Sequence, residues 1–162
     1  MAHLDGLGVL GGDPRVMRYL GGVQTREETA AAIERQIGKW QALGFGWWSF
    51  LELATGELIG AGCIQHTGGK PEHPLEVGWR LRPDRWGQGF ATEAAIAMGE
   101  FAFDCLGIPL LLAVAVPENT ASRRVMERLG MRYRAIERWY DMDLATYEIT
   151  AAAWRDRHPA TR

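Results

Sequence analysis

An apolar run at 75–81, a proline at 83, and Gly87 and Gly89 ahead of an alanine-rich segment constrain this chain more than any other stretch. Pro83 has no amide N–H and fixes its own φ, so the extended run stops before it. Gly87 and Gly89 permit a tight turn and close approach of the backbone to whatever lies above it. Ala91, Ala94 and Ala95 then fall on one helical face, which predicts that a helix begins at the turn. Strand, glycine turn and helix start in series leave several N–H groups without internal acceptors and bring the positive end of a helix dipole to the same point. Such a point attracts phosphate.

The segments around the turn set its context. Leu4, Leu7, Val9 and Leu10 suggest a short helix weakened by four glycines, and Asp13-Pro14 is a capped helix start whose helix should end at Gly21-Gly22. Thr25 with Glu28 forms a capping box, and Ile33, Ile37 and Trp40 repeat at helical spacing up to Gly44. Residues 47–53 and 58–65 read as a hairpin, and 67–74, with two Gly and two Pro, as a loop. Residues 110–116 are almost unbroken apolar, as in a strand buried on both faces. Together with the run at 75–81 and the helix between them they make a βαβ unit, so the two strands should be parallel. A helix from about 120 to 129 and a second hairpin, 132–139 and 144–149 around residues 141–143, complete the pattern. The fold class is α/β (α+β) with a mixed sheet, and residues 1–162 read as one domain.

Composition removes several function classes. A formal charge of −2 argues against bulk nucleic-acid binding, and no apolar run approaches the ~20 residues of a membrane span. With no charged-then-apolar leader, a cytoplasmic protein is expected. Cys63 and Cys105 both lie in apolar segments and read as buried thiols rather than a disulfide. The four histidines and two cysteines show no metal-ligand spacing, so no metal is expected.

Three ligand classes use a strand–glycine–helix turn. A P-loop needs a Gly-Lys-Ser/Thr end, and this chain has Gly89-Phe90-Ala91. A dinucleotide fingerprint needs a third glycine where Thr92 stands, and a turn near the start of the fold. Coenzyme A pyrophosphate remains. Here Trp86-Gly87-Gln88-Gly89-Phe90-Ala91 resembles the Gln/Arg-x-x-Gly-x-Gly/Ala signature of the GNAT superfamily of acyl-CoA-dependent N-acetyltransferases, with Trp86 departing from the general pattern. The run from Trp86 through Thr92 to Ala94, and a second landmark at 117–131, are similar to the branch that acetylates ribosomal-protein N-termini. Residues 55–60 and 13–17 are similar to that branch's hairpin and first helix.

The resemblance implies the GNAT fold, acetyl-CoA as co-substrate and a small-molecule or peptide primary amine as acceptor. By position, the backbone N–H groups of Gln88, Gly89, Phe90 and Ala91 would hold the pyrophosphate, with Trp86, Gly87 and Thr92 shaping the turn. Trp79, Arg80 and Leu81 would pair with the pantetheine arm. Asn119 would bind that arm or fix the following helix, and Ser122 would lie near the thioester sulfur. Arg82, Arg85, Arg123 and Arg124 are candidates for the outer phosphates, though each also reads as an ordinary solvated helix or loop charge.

An amine titrating near ~10 must lose a proton before it attacks a thioester, so a general base is useful. Glu76, on the strand entering the turn, is the first candidate, and the alternative reading is an ion-paired strand glutamate. His66 is the second, and His73 reads as surface. The family often places a proton-donating tyrosine seven residues after Asn119, but Met126 stands there and a thioether cannot donate. Ser122 is left as a hydrogen-bonding group for the sulfur, or as a plain first-turn serine. Trp47, Trp48, Trp139 and Tyr140 are candidates for an acceptor pocket or for core packing.

One departure bears on assembly. The first strand of the branch it resembles is expected to be missing, or the sequence to start after it, because only Met1 to His3 precede the first predicted helix. An open sheet edge is then expected, covered by a homodimer partner or a rearranged N-terminus. That missing strand and Met126 also fit a rival reading, a non-catalytic acyl-CoA sensor or degenerate relative. The acceptor itself is not encoded in the loops at 21–25, 67–74 and 139–143.

Overall fold

A computed structural model describes residues 2–159. The chain divides into two compact units. One comprises Met1–Cys63 and Trp79–Ala94, the other Ile64–Gly78 and Ala95–Arg162.

The first unit opens with helix α1 (Leu4–Gly12) and the one-turn helix α2 (Pro14–Met17). Asp13 caps α2 by accepting from the Arg15 N–H at 2.8 Å, with Pro14 in the first helical position. The expected continuation to Gly21 fails: α2 stops at Met17 and the chain turns through Leu20, whose N–H donates to the Met17 carbonyl at 3.0 Å. Helix α3 (Arg26–Leu43) begins with the predicted capping box, Thr25 N–H to Glu28 Oε2 at 2.8 Å and Glu28 N–H to Thr25 Oγ1 at 3.1 Å. It ends at Gly44, where φ is 74°. Leu10, Val16, Met17 and Ala61 form a buried cluster, with Leu7 and Trp47 packed against it.

Strand β1 (Trp47–Leu51) pairs antiparallel with β2 (Leu58–His66), Trp47 opposite Cys63 and Ser49 opposite Ala61. β1 is shorter than expected because the turn begins at Glu52, whose carbonyl accepts from the Gly56 N–H at 2.7 Å. Leu53 is consequently fully exposed. No strand precedes α1 among the described residues, so β1 forms one edge of the sheet, and Met1 lies outside the described residues.

β3 (Leu75–Leu81) matches its expected bounds, and helix α4 (Phe90–Glu100) runs on through a π-helical turn at Phe101–Cys105. β4 (Leu110–Ala115) pairs parallel with β3, as the βαβ reading requires, at Leu75↔Leu111 and Glu76↔Leu112. Helix α5 (Thr120–Arg128) leads into β5 (Arg132–Trp139) and β6 (Met142–Thr150), antiparallel to each other, and β6 also runs antiparallel to β4. The strands are ordered β1-β2-β3-β4-β6-β5.

Three expectations about the second unit need correction. The final hairpin turns at Tyr140-Asp141 rather than 141–143, since Trp139 pairs with Met142. The chain then adds helix α6 (Ala151–Arg157), capped by Thr150, whose Oγ1 accepts from the Ala153 N–H at 3.3 Å. Trp154 of α6 is buried, its ring 5.3 Å from that of Phe103. Seven residues carry too little hydrophobic periodicity to announce a helix, although the Thr150 cap, three alanines and two arginines in the last turn all favour one, and burial of Trp154 anchors it. Finally, Cys63 is buried as expected but Cys105, in the π-helical turn, is exposed. Among the described residues no helix is long and apolar enough to cross a membrane.

Candidate active site

The glycine turn lies within the first unit. The Arg82 N–H donates to the Ile59 carbonyl at 2.8 Å, and Pro83–Arg85 makes a 3-10 turn. The Trp86 indole N–H donates to the Leu81 carbonyl at 2.9 Å and anchors the turn to the strand end. Gln88 Nε2 donates to the Asp84 carbonyl at 2.8 Å. Gly87 and Gly89 have φ of 72° and 92°, values that a side chain rarely tolerates, which is why glycine stands at both. The Glu93 N–H closes the first helical turn on the Gly89 carbonyl at 3.0 Å. Among the described residues no oxygen accepts from the N–H groups of residues 88–92. Free N–H groups on an exposed left-handed turn, at the positive end of α4, suit the pyrophosphate of coenzyme A.

Two of the arginines considered for phosphate are engaged elsewhere. Arg82 bonds Asp84 (2.8 Å) and Glu57 (3.2 Å), and Arg85 bonds Asp84 (2.8 Å) and Glu52 (3.1 Å). Hydrogen bonding from Arg82 holds the Asp84 carboxyl below its ordinary pKa, and Glu52 is lowered first by Thr55 and then by Arg85.

Arg80 differs. Its Nη1 donates to the Met17 thioether at 3.3 Å, its Cζ lies 5.2 Å from the Trp47 ring centroid, and its Nε is buried with no partner. Among the described residues no carboxylate pairs with it. Burial pulls its pKa below the usual arginine value, opposed by nearby Cys63. Trp47 also accepts from the Trp40 indole N–H at 3.0 Å, and Trp48 packs edge-on against Trp40 at 5.1 Å.

In the second unit Glu76 is 5% exposed. Its Oε1 accepts from Gln65 Nε2 at 2.9 Å and from the Tyr140 hydroxyl, while Oε2 is buried with no partner. Gln65 Nε2 also donates to the Tyr140 oxygen at 2.9 Å. Burial raises the Glu76 pKa above 4.5 against the pull of both hydrogen bonds. Burial and the adjoining carboxylate raise the Tyr140 phenol as well. Tyr140 and Asp141 occupy the centre of the β5–β6 turn with φ of 52° and 59°. A two-residue turn of this kind favours Asn-Gly, and each left-handed non-glycine residue costs on the order of 1–2 kcal/mol. Backbone strain therefore coincides with the hydrogen bond to Glu76.

His66 and His73 serve the neighbouring loop. His66 Nδ1 donates to the His73 carbonyl and His73 Nδ1 to the Thr67 carbonyl, both at 2.8 Å, since a carbonyl can only accept. His73 also packs edge-on against Trp139, so it is a structural residue rather than plain surface. Trp139 donates to buried Thr146 at 3.0 Å.

At the start of α5 the Asn119 side chain accepts from the Ser122 N–H at 3.2 Å, so it fixes the helix. Arg123 is tied to Tyr147 and the Pro117 carbonyl, both at 3.1 Å. Met126 is 2% exposed and belongs to the core. Arg124 has no ion-pair partner among the described residues.

Comparison with known proteins decides the family. The model of the acetyltransferase (GNAT) domain matches residues 1–132. The chain belongs to the GNAT acetyltransferase family. This acetyltransferase is 30% identical to the uncharacterized protein YkkB of Bacillus subtilis over 87% of its own length and 82% of the relative's. A GNAT-family acetyltransferase from Bacillus anthracis superimposes with a TM-score of 0.79 at 26% identity, covering 93% of this chain and 90% of that one. The aminoglycoside acetyltransferase AAC(6')-Ib, solved in complex with coenzyme A, gives a TM-score of 0.77 at 15% identity, over 98% and 95% of the two chains, a likeness of fold alone. The chain is thus an acetyl-CoA-dependent N-acetyltransferase, with acetyl-CoA as its co-substrate.

The sequence of this acetyltransferase did not single out Gln65, and it left Tyr140 as a pocket wall or a core residue. The one available signal was Tyr-Asp at the centre of a tight hairpin, where Asn-Gly is the unstrained choice. It pointed to strain without naming Glu76 as the partner. Among the described residues no cluster of three metal-ligating side chains occurs.

Proposed function

We propose that this enzyme transfers the acetyl group to a primary amine by direct attack, with Glu76 accepting the amine's proton through a water. The observation that carries the reading is the divided carboxylate: Oε1 is held by Tyr140 and Gln65, and Oε2 is left buried and unpaired. A carboxylate raised in pKa by burial is a better base near neutrality than an exposed glutamate. Bound acetyl-CoA supplies an activated acyl group as a thioester. On this reading, N–H groups of Gln88, Gly89, Phe90 and Ala91 hold the pyrophosphate, with Trp86, Gly87 and Thr92 shaping the turn and Arg123 beside the outer phosphates. The backbone of Trp79, Arg80 and Leu81 lies along the pantetheine arm, and Asn119 orients α5. Ser122 hydrogen-bonds the sulfur, a role Met126 cannot fill. Nucleophilic catalysis is disfavoured, because neither Cys63 nor Cys105 has a basic neighbour in sequence to activate it.

The whole chain acts as one acetyltransferase domain, and its motifs at 86–94 and 117–131 ally it with the ribosomal-protein N-terminal branch. The acceptor is a small-molecule or peptide amine. A second copy on the open edge of β1 would give a homodimer, an idea that a monomeric mass in sedimentation would remove.

The deciding experiment mixes protein, acetyl-CoA and a panel of amines while free thiol is followed. Saturable thiol release that falls sharply in Glu76→Gln supports the proposal. Coenzyme A binding with no release on any amine would instead favour a non-catalytic sensor.

A further inference from the structure

Arg80 carries a permanent positive charge for which the described residues supply no carboxylate. Its unit is not short of acids. Arg82 and Arg85, two and five residues along, hold two and three carboxylates, and Arg15 and Arg26 hold Asp13 and Asp5. At Arg80 the environment is a thioether, an indole face and an Nε that nothing accepts from. A thioether is a weak acceptor, and the indole interacts with the charge without replacing a hydrogen bond. An unbonded, buried charged donor is among the costlier features a core can retain, and a leucine or methionine would pack on this strand without it. A guanidinium kept partly buried and incompletely bonded has the character of a receptor awaiting an oxyanion.

We propose that Arg80 recognises a carboxylate on the acceptor, so that the favoured substrates are amines carrying an acid group, in the manner of an amino acid. A carboxylate is preferred over a phosphate because one negative charge cancels the arginine's own, whereas a phosphate dianion would leave net charge beside Trp47 and Met17. The planar fork of the guanidinium suits a carboxylate edge, and Trp47 and Met17 supply apolar surface next to it. This inference rests on the acetyl-transfer reading above and adds the acceptor's chemical class to it.

The test compares matched pairs, glycine, alanine, methionine and phenylalanine against their carboxamides, by thiol release from acetyl-CoA. The ratio of acid to carboxamide in kcat/KM is expected to fall at least tenfold in Arg80→Gln. Taking the change in ratio cancels the different amine pKa values of each pair. Arg80→Lys, which keeps the charge and loses the fork, should retain part of the preference, and it stands in if Arg80→Gln does not fold. An unchanged ratio overturns the inference while leaving acetyl transfer intact. Silence on every amine counts against acetyl transfer instead, and thermal melts with benzoate or benzamide then decide the role of Arg80. Benzoate alone should raise Tm, and only when Arg80 is present. An equal response to both compounds, or none, overturns it.

Discussion

The phenol of Tyr140 donates to Oε1 of Glu76 across 64 residues of chain, from a turn position where tyrosine is held in left-handed conformation. The relationship makes the glutamate's basicity depend on a hairpin turn. It also explains why a strained tyrosine is tolerated: the cost is borne by a β5–β6 ladder in close register on both sides of the turn, and the carboxylate gains a donor.

Glu76 is useful only when ionised, and burial raises its pKa above 4.5. Acetyl transfer should therefore fall as pH drops through that raised value. Glu76→Gln should lose about 10²- to 10⁴-fold in kcat/KM and with it this acidic limb. A pH–rate profile of both proteins checks the outcome, and a limb that persists in Glu76→Gln would assign the base elsewhere.

Tyr140→Phe removes a donor that favours the ionised carboxylate. The acidic limb should then move to higher pH, because the remaining Gln65 donor opposes burial alone. A purely structural tyrosine would change stability and leave the limb in place, so the profile separates the two roles.

Stability should respond to pH through the same group. The folded-state pKa of Glu76 lies above its unfolded value, so the folded protein binds this proton more tightly. Its contribution is full below about pH 4.5 and is lost as pH rises through the folded pKa. Glu76→Gln does not titrate, so its Tm relative to the parent should climb from pH 4 to pH 8. A Tm difference independent of pH would mean that burial does not perturb this carboxyl.

Gly89→Ala places a Cβ on a residue at φ 92° in the anion turn. The conformational cost is about 1–2 kcal/mol, which the substituted free turn sheds by leaving the left-handed region and binding must restore, so affinity for coenzyme A should weaken roughly tenfold. Calorimetric titration with coenzyme A measures it directly, and an unchanged Kd would place the pyrophosphate elsewhere.

Trp154→Ala should cost about 3–5 kcal/mol, since the ring is 2% exposed, contacts Phe103 and anchors a helix only seven residues long. Denaturant unfolding reports the loss. A cost under 1 kcal/mol would mean that α6 is a dispensable appendage.

Much of the architecture was legible in short windows of sequence. Thr25 and Glu28 announced a capping box, Asp13-Pro14 a helix start, and Gly87 and Gly89 a tight turn, because each acts on neighbours within one or two turns of chain. The bounds of β3 followed from an apolar run ended by Pro83. The π-helical turn that exposes Cys105 escaped notice because packing rather than local preference decides it, and α6 because seven residues are too few to show a hydrophobic period, although Thr150 and three alanines favour a helix locally.

Residue types and their spacing by themselves determined the order of elements from α1 to β6 and a glycine turn between β3 and α4, while the resemblance to the family singled out Met126 and Glu76. Only the tertiary structure decided which charges meet. It gave Arg82 and Arg85 to nearby carboxylates, left Arg80 without one, and set Tyr140 and Gln65 on Oε1 of Glu76. The reason is range. Caps, turns and periodic faces are written in contacts a few residues apart, whereas pairing of side chains on different strands depends on register, and register is fixed only when the sheet closes.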